Sequence, residues 1–240
     1  MILNIVLYLR YTRSPLYSFL FTIPLFIIYE VGLFLSQSDD LAYMRNGADA
    51  LMRQILSMLG INGFYWIGGI FLVCFIIIYF FQKYSWEDYE LNFNYLIIMT
   101  LESFFWSYLL YFAMLNMHVI LMIPSGSLVM QKVTLAIGAG IYEEMLFRVI
   151  LIYIFKLIIG SIFDWENYSK VGFSMMIAAA IFSSFHFIGE FGDYFSFNLF
   201  MVRFLAGIIL GLLYLFRGFG ITAWSHSIYD LIILTRITTQ

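Results

Sequence analysis

The sequence is poor in nearly everything a water-soluble domain relies on. Of its 240 residues only 11% are charged, three are proline, three are histidine and one, Cys74, is cysteine. A soluble domain averages about 25% charged residues. A single cysteine inside an apolar run excludes a disulfide framework and says nothing of redox compartment. Twelve Lys+Arg and a net charge of −3 exclude the basic footprint of a nucleic-acid surface. No HExxH zinc signature, Pro/Ser-rich linker, low-complexity tract or internal repeat occurs. At the amino end no short apolar region leads to a small-residue cleavage site, so the first apolar run is expected to remain as a helix.

What the chain has instead is apolar length. Hydrophobic residues make up 63% and aromatics 21%, and the mean hydropathy is +0.92. The expected fold is all-α: a polytopic membrane helix bundle of about seven to eight helices, in a single membrane domain over 1–240. Spans are expected at Leu16 to Leu35, Tyr65 to Phe81, Phe93 to Leu115, Leu128 to Ile159, Val171 to Ile188 and Phe197 to Phe216, with a last short helix from Ile221 to Leu234. The fourth is too long for one upright crossing, so it is tilted, projecting or broken. Leu41 to Ile61 reads as amphipathic, surface-lying or re-entrant: Leu51, Ile55, Met58 and Leu59 recur at helical spacing, and Arg45, Asp49 and Arg53 stay polar. Gly138 and Gly140, and the pair Gly207 and Gly211, offer small-residue faces for close helix packing. Loop charges, six Lys/Arg against three, favour a cytoplasmic N-terminus; the expected location is a bacterial plasma membrane.

Charge inside a span costs roughly 2.5–3.5 kcal/mol on insertion scales, so it tends to mark function. The densest case is Glu143-Glu144-Met145-Leu146-Phe147-Arg148. Glu144 and Arg148, four apart, share a helix face and can pair. Glu143, turned about 100° away, is free to face elsewhere. His226 and Asp230 are also four apart, and His186 follows Phe182 by one turn. A glutamate, two histidines and an aspartate on three helices are the groups that a general base, its partner and an oxyanion stabiliser require. His118, without acidic neighbours, reads as structural. So do Glu30, Glu102 and Arg203, with Arg203 expected to pair with one of those two acids. In simple alternation His186 and His226 fall toward opposite leaflets, so they meet Glu143 only if helices are tilted, short or broken.

Glu143-Glu144-x-x-x-Arg148, Phe182-x-x-x-His186 and His226-x-x-x-Asp230, in this order, resemble the CPBP intramembrane protease family. That family includes type II CAAX prenyl endopeptidases and bacteriocin-processing or immunity proteins. The stretch from Arg203 through Gly211 and Arg217-Gly218 to His226 is similar to its usual ending, and the resemblance covers residues 128–235. It implies hydrolysis of a peptide bond in a membrane-associated, prenylated CAAX-type or other, substrate. Glu143 and His186 would activate water, and His226 and Asp230 would stabilise the oxyanion. Glu144, Arg148 and Phe182 would brace the site or meet substrate. The family often has Asn at the last position; Asp230 donates a hydrogen bond only when protonated, and otherwise orients His226 or a water. The family has been described both as metalloproteases and as glutamic proteases. The metal-free reading is preferred; a Zn²⁺ would fall to Glu143, His186 and His226. The other readings are a non-catalytic immunity factor or scaffold of the same fold, and a proton-coupled transporter, which the lack of repeats disfavours.

Overall fold

The structure is a computed structural model. It describes residues 5–35, 45–61, 69–70, 73, 76–77, 80, 91–115, 129–189 and 192–237. The expected span over 65–81 lies mostly outside the described residues, as do Cys74, His118 and the break at 124–127. Among the described residues there is no strand, and the helices are α1 (Ile5–Thr12), α2 (Pro15–Phe34), α3 (Gly47–Met58), α4 (Phe93–Met114), α5 (Val129–Ile162), α6 (Asn167–Phe185), α7 (Phe197–Arg217) and α8 (Phe219–Ile237). All-helical architecture is as the composition predicts. Five of them, α2 and α4 to α7, are long and apolar enough to cross a membrane, and the chain is an integral membrane protein.

The inner and outer faces follow from helical spacing. In α2 the residues Tyr17, Phe21, Leu25, Tyr29 and Leu33 recur every four positions and are buried, while Ile27, Ile28, Val31 and Phe34 are exposed. Ser14 caps this helix by accepting the Tyr17 N–H, and Pro15 starts it where no backbone donor is needed. In α4 the inner positions Tyr95, Met99, Ser103 and Ser107 repeat the same spacing, and large apolar side chains such as Leu101, Phe105 and Phe112 face outward. A bundle in water would bury the large residues and expose the serines. The reversal fits a lipid surround, in which small and hydroxyl residues mediate helix contact.

The centre is α8, which packs against α2, α4, α7 and the first half of α5. Its Ile221, Thr222, Ala223, Ser225 and Ser227 are almost fully buried, and their small size lets neighbours approach. Gly140 of α5 is the closest such approach. A Cβ there would run into the Ala223 carbonyl oxygen and Ser227 Oγ. Gly207 and Gly211 of α7 lie in the same way against Ala179 and Met175 of α6, as the small-residue spacing predicts.

Three elements differ from the expectation. α6 begins at Asn167 rather than Val171, because its exposed first turn is polar and carries no apolar period. α8 runs 19 residues from Phe219, longer than the short helix expected. α5 is the long fourth span, 34 residues and roughly 50 Å at 1.5 Å per residue. Its length fits the expectation that it is no single upright crossing, and its regular α-winding is interrupted. Ala139–Glu143 and Met145–Leu151 wind as π-helix, with Glu144 between them. Such widened turns are rare and cluster at functional sites.

The polar side of α3 is the largest surprise. Asp49 is fully buried, whereas Ile55, Met58 and Leu59 are exposed. At 12 residues the helix is too short to cross, and it lays its charged stripe inward. Arg53 Nε donates to Asp49 at 2.7 Å, Tyr29 Oη donates to the other Asp49 oxygen at 2.9 Å, and Arg53 lies 3.6 Å from Glu30.

Candidate active site

Along α5 the two adjacent carboxylates reach different neighbours. Glu144 is fully buried. Its Oε2 lies 3.0 Å from Arg148 Nε as an ion pair without a hydrogen bond, and its Oε1 lies 2.7 Å from His226 Nδ1 on α8. Glu143, also buried, has Oε1 as acceptor for Asn46 Nδ2 at 2.9 Å. The Glu144–Arg148 pair thus forms as the spacing predicts, and His226 is added to it.

Phe182 of α6 gathers the rest. Its ring is edge-on to His186 with centroids 4.9 Å apart, and edge-on to His226 at 6.3 Å. The Arg148 guanidinium stands over it, 4.4 Å from the centroid, a cation–π contact in a buried setting. Phe147 packs edge-on against the same ring at 5.2 Å. The two histidines that simple alternation sets apart therefore meet around one aromatic ring. Glu143 lies within electrostatic range of both imidazoles.

The hydrogen bonds fix which nitrogens are in use. His186 Nδ1 is 2.8 Å from the Phe182 carbonyl oxygen, which can only accept, so Nδ1 carries the proton. In the neutral ring Nε2 is then a lone pair. His226 Nδ1 lies 2.7 Å from Glu144 Oε1, so with Glu144 as a carboxylate it is Nδ1–H that donates. Its Nε2 faces Asp230 at 3.6 Å, beyond a direct hydrogen bond. Two nitrogens of Arg148, Nη1 and Nη2, are buried and have no hydrogen-bond partner among the described residues.

The loop after α6 is tied down beside His186. The Asp193 N–H donates to the His186 carbonyl oxygen at 2.9 Å, and the Asp193 carboxylate pairs with Arg203, whose guanidinium stands over Phe187. Arg203 was expected to pair with Glu30 or Glu102, and that is corrected. Glu102 is held by Arg217 at 2.5 and 2.7 Å, and also accepts from Tyr8 and Trp106. Glu30 faces Arg53 and Tyr142. Arg203 and Arg217 stand fourteen residues apart on α7, about 21 Å, so one acid cannot serve both. On α1, burial and the Glu102 carboxylate together push the Tyr8 hydroxyl well above its ordinary range, so it stays a donor.

Asn46 is the site residue that the sequence reading misses. It has one visible signal: Asn followed by Gly47-Ala48-Asp49 has the pattern of an N-cap with an acid in the first turn. Nothing local reveals that its amide reaches a carboxylate 97 positions away.

His226 Nδ1 and one Glu143 oxygen are already engaged, and His186 Nδ1 is turned to a carbonyl. Among the described residues no three His, Cys, Asp or Glu side chains come together as a metal site. Glu143, His186 and His226 do not form a ready-made metal site among the described residues, although each keeps an atom outside these bonds.

Residues 124–232 match the family model described as "Type II CAAX prenyl endopeptidase Rce1-like". The resemblance carried by the three motifs is thereby shown, over the segment that holds all of them, and it supports a CAAX-type intramembrane protease in general. No curated protein and no solved structure matches the chain.

Proposed function

We propose, on that match, that the chain is a metal-free intramembrane endopeptidase in which Glu143 is the general base. The observation that carries the reading is the convergence of His186, His226 and Arg148 on the Phe182 ring beside Glu143. Two of those groups present an unused nitrogen: the lone pair of His186 Nε2, and His226 Nε2 next to Asp230.

A water held between Glu143 and His186 Nε2 gives a proton to the Glu143 carboxylate as its oxygen attacks the scissile carbonyl carbon. The carbonyl π-bond opens and its oxygen becomes an oxyanion. His226 donates to that oxyanion from Nε2–H, which requires the imidazolium form, a form that the Glu144 and Asp230 carboxylates on either side favour electrostatically. Asp230 orients the ring or, protonated, adds a second donor. The proton on Glu143 then passes to the leaving amine nitrogen as the C–N bond breaks, so Glu143 returns to its carboxylate form. Proton transfer by a positioned side chain contributes typically 10²–10⁴-fold. Buried donors aimed at developing charge add more than they would in water. The substrate class implied is a membrane-associated peptide, with a prenylated CAAX sequence as the first to try.

The test is Glu143→Ala in purified protein reconstituted in liposomes with a fluorogenic farnesylated peptide ending in a CAAX tetrapeptide. The expected result is a folded protein with cleavage lowered by about 10²–10⁴. Cleavage at the wild-type rate would remove Glu143 from the reaction. A cell phenotype that survives both Glu143→Ala and His186→Ala would point to a non-catalytic immunity or scaffold role.

A further inference from the structure

Every polar group of Asn46 has a partner. Its backbone N–H donates to Tyr29 Oη at 3.3 Å, and Tyr29 in turn donates to Asp49 at 2.9 Å. Its Oδ1 accepts the Ala48 N–H at 2.8 Å and so caps α3. Its Nδ2 donates to Glu143 Oε1 at 2.9 Å. The residue is buried, and its Cβ faces Gly138, where an added side-chain atom would come within 3.0 Å of it.

These partners leave the amide one orientation. A flipped side chain would turn its NH₂ toward the Ala48 N–H, donor against donor. It would also turn its oxygen toward the Glu143 carboxylate, acceptor against acceptor. The helix cap therefore dictates that the NH₂ end points at Glu143. Because α3 lays its polar stripe inward, Asp49, Arg53, Glu30 and Tyr29 hold this cap against α2. The amino-terminal half, which carries none of the three motifs, thus reaches the carboxylate that the reaction depends on.

We propose that Asn46 is a positioning residue for Glu143: its amide holds Oε1, fixes the plane of the carboxylate and leaves Oε2 to take the proton from water. This rests on the reading of Glu143 as general base and goes beyond it. A charge-assisted hydrogen bond of this kind is short, directional and roughly twice as strong as a neutral one, enough to select one rotamer of a side chain with three torsions. Without it, the Glu143 carboxylate would sample orientations in which no oxygen faces the water.

Two substitutions separate positioning from structure, since Ser and Asp both cap helices about as well as Asn. Asn46→Ser keeps the cap and lacks the reach to Glu143. Asn46→Asp keeps the cap and sets a carboxylate against a carboxylate. With the farnesylated CAAX peptide in liposomes, Asn46→Ser should lower kcat roughly tenfold, the scale of one hydrogen bond to a charged group, with KM unchanged and only a small fall in melting temperature. Asn46→Asp should lower kcat further. Wild-type kcat in Asn46→Ser, or a melting temperature that falls in step with kcat in both variants, overturns the proposal. Glu143→Gln run alongside separates the two readings. If it cleaves normally, the general-base reading fails; if it is inactive while Asn46→Ser is normal, only the positioning role fails. Infrared difference spectra give a readout free of turnover. The antisymmetric carboxylate band that Glu143→Gln removes should shift in Asn46→Ser, and an unmoved band would sink the idea.

Discussion

His226 Nδ1 and Glu144 Oε1 lie 2.7 Å apart, across the contact between α5 and α8, while the other oxygen of Glu144 is ion-paired with Arg148. One carboxylate thus joins the first motif to the third. Removing it should strand a fully buried guanidinium and untether an imidazole. Breaking a buried ion pair from one side costs about 3–5 kcal/mol, so Glu144→Ala should lower the melting temperature in detergent sharply and abolish cleavage. Glu144→Gln keeps one acceptor and should be the milder of the two. Equal melting temperatures for Glu144→Ala and wild type would mean that Arg148 has another partner.

Close contact between α5 and α8 depends on Gly140. A Cβ at that position meets a backbone oxygen, which cannot rotate out of the way. Gly140→Ala should cost about 1–3 kcal/mol, the usual range for overpacking. It should also lower cleavage by drawing Glu144 away from His226. Gly172→Ala is the control, since nothing lies within 4 Å of its added atom. It should be neutral or slightly stabilising, because glycine is the poorer residue in a helix. Thermal melts of the two variants side by side make the comparison.

The Glu102–Arg217 pair ties α4 to the end of α7, and Arg217 also donates to Thr12 of α1 at 3.0 Å. Glu102→Ala leaves Arg217 buried without its acid and should destabilise by about 3–5 kcal/mol. The double change Glu102→Met with Arg217→Met should recover most of that loss, since a buried ion pair is often replaced by apolar residues at little cost. A double-mutant cycle on melting temperature reads the coupling directly. Additive effects would show that the two side chains do not depend on each other.

Chelators address the reaction itself. The proposed reaction routes no step through a metal, so EDTA or phenanthroline should leave cleavage of the CAAX peptide unchanged in protein purified without added zinc. Loss of cleavage that added zinc restores would return Glu143, His186 and His226 to the role of metal ligands.

Much of this was legible from the chain. The acid–acid–arginine segment, the two histidines and Asp230 stand out because charge in a long apolar run demands a reason, and that demand needs no structure. The i, i+4 pairing of Glu144 with Arg148 follows from helical spacing alone. Expecting Arg203 to pair with Glu30 or Glu102 went wrong because both acids are taken from far along the chain, Glu102 by Arg217 and Glu30 by Arg53. Asn46 was missed for a related reason. Its cap is local and readable, but its contact with Glu143 belongs to the packing of α3 on α5.

The sequence alone determined an all-helical membrane chain, the composition of its spans and the residue types of the site, because hydrophobic length and helical period are local properties. Only the tertiary structure decided that α3 turns its charges inward, that His186 and His226 meet at Phe182, and that Asn46 reaches Glu143. Each of these depends on the direction in which one helix meets another. That direction is set by where glycines allow close approach and by which buried charges find a partner. In a bilayer the hydrophobic effect does not choose between helix faces, so polar contacts and close packing make the choice.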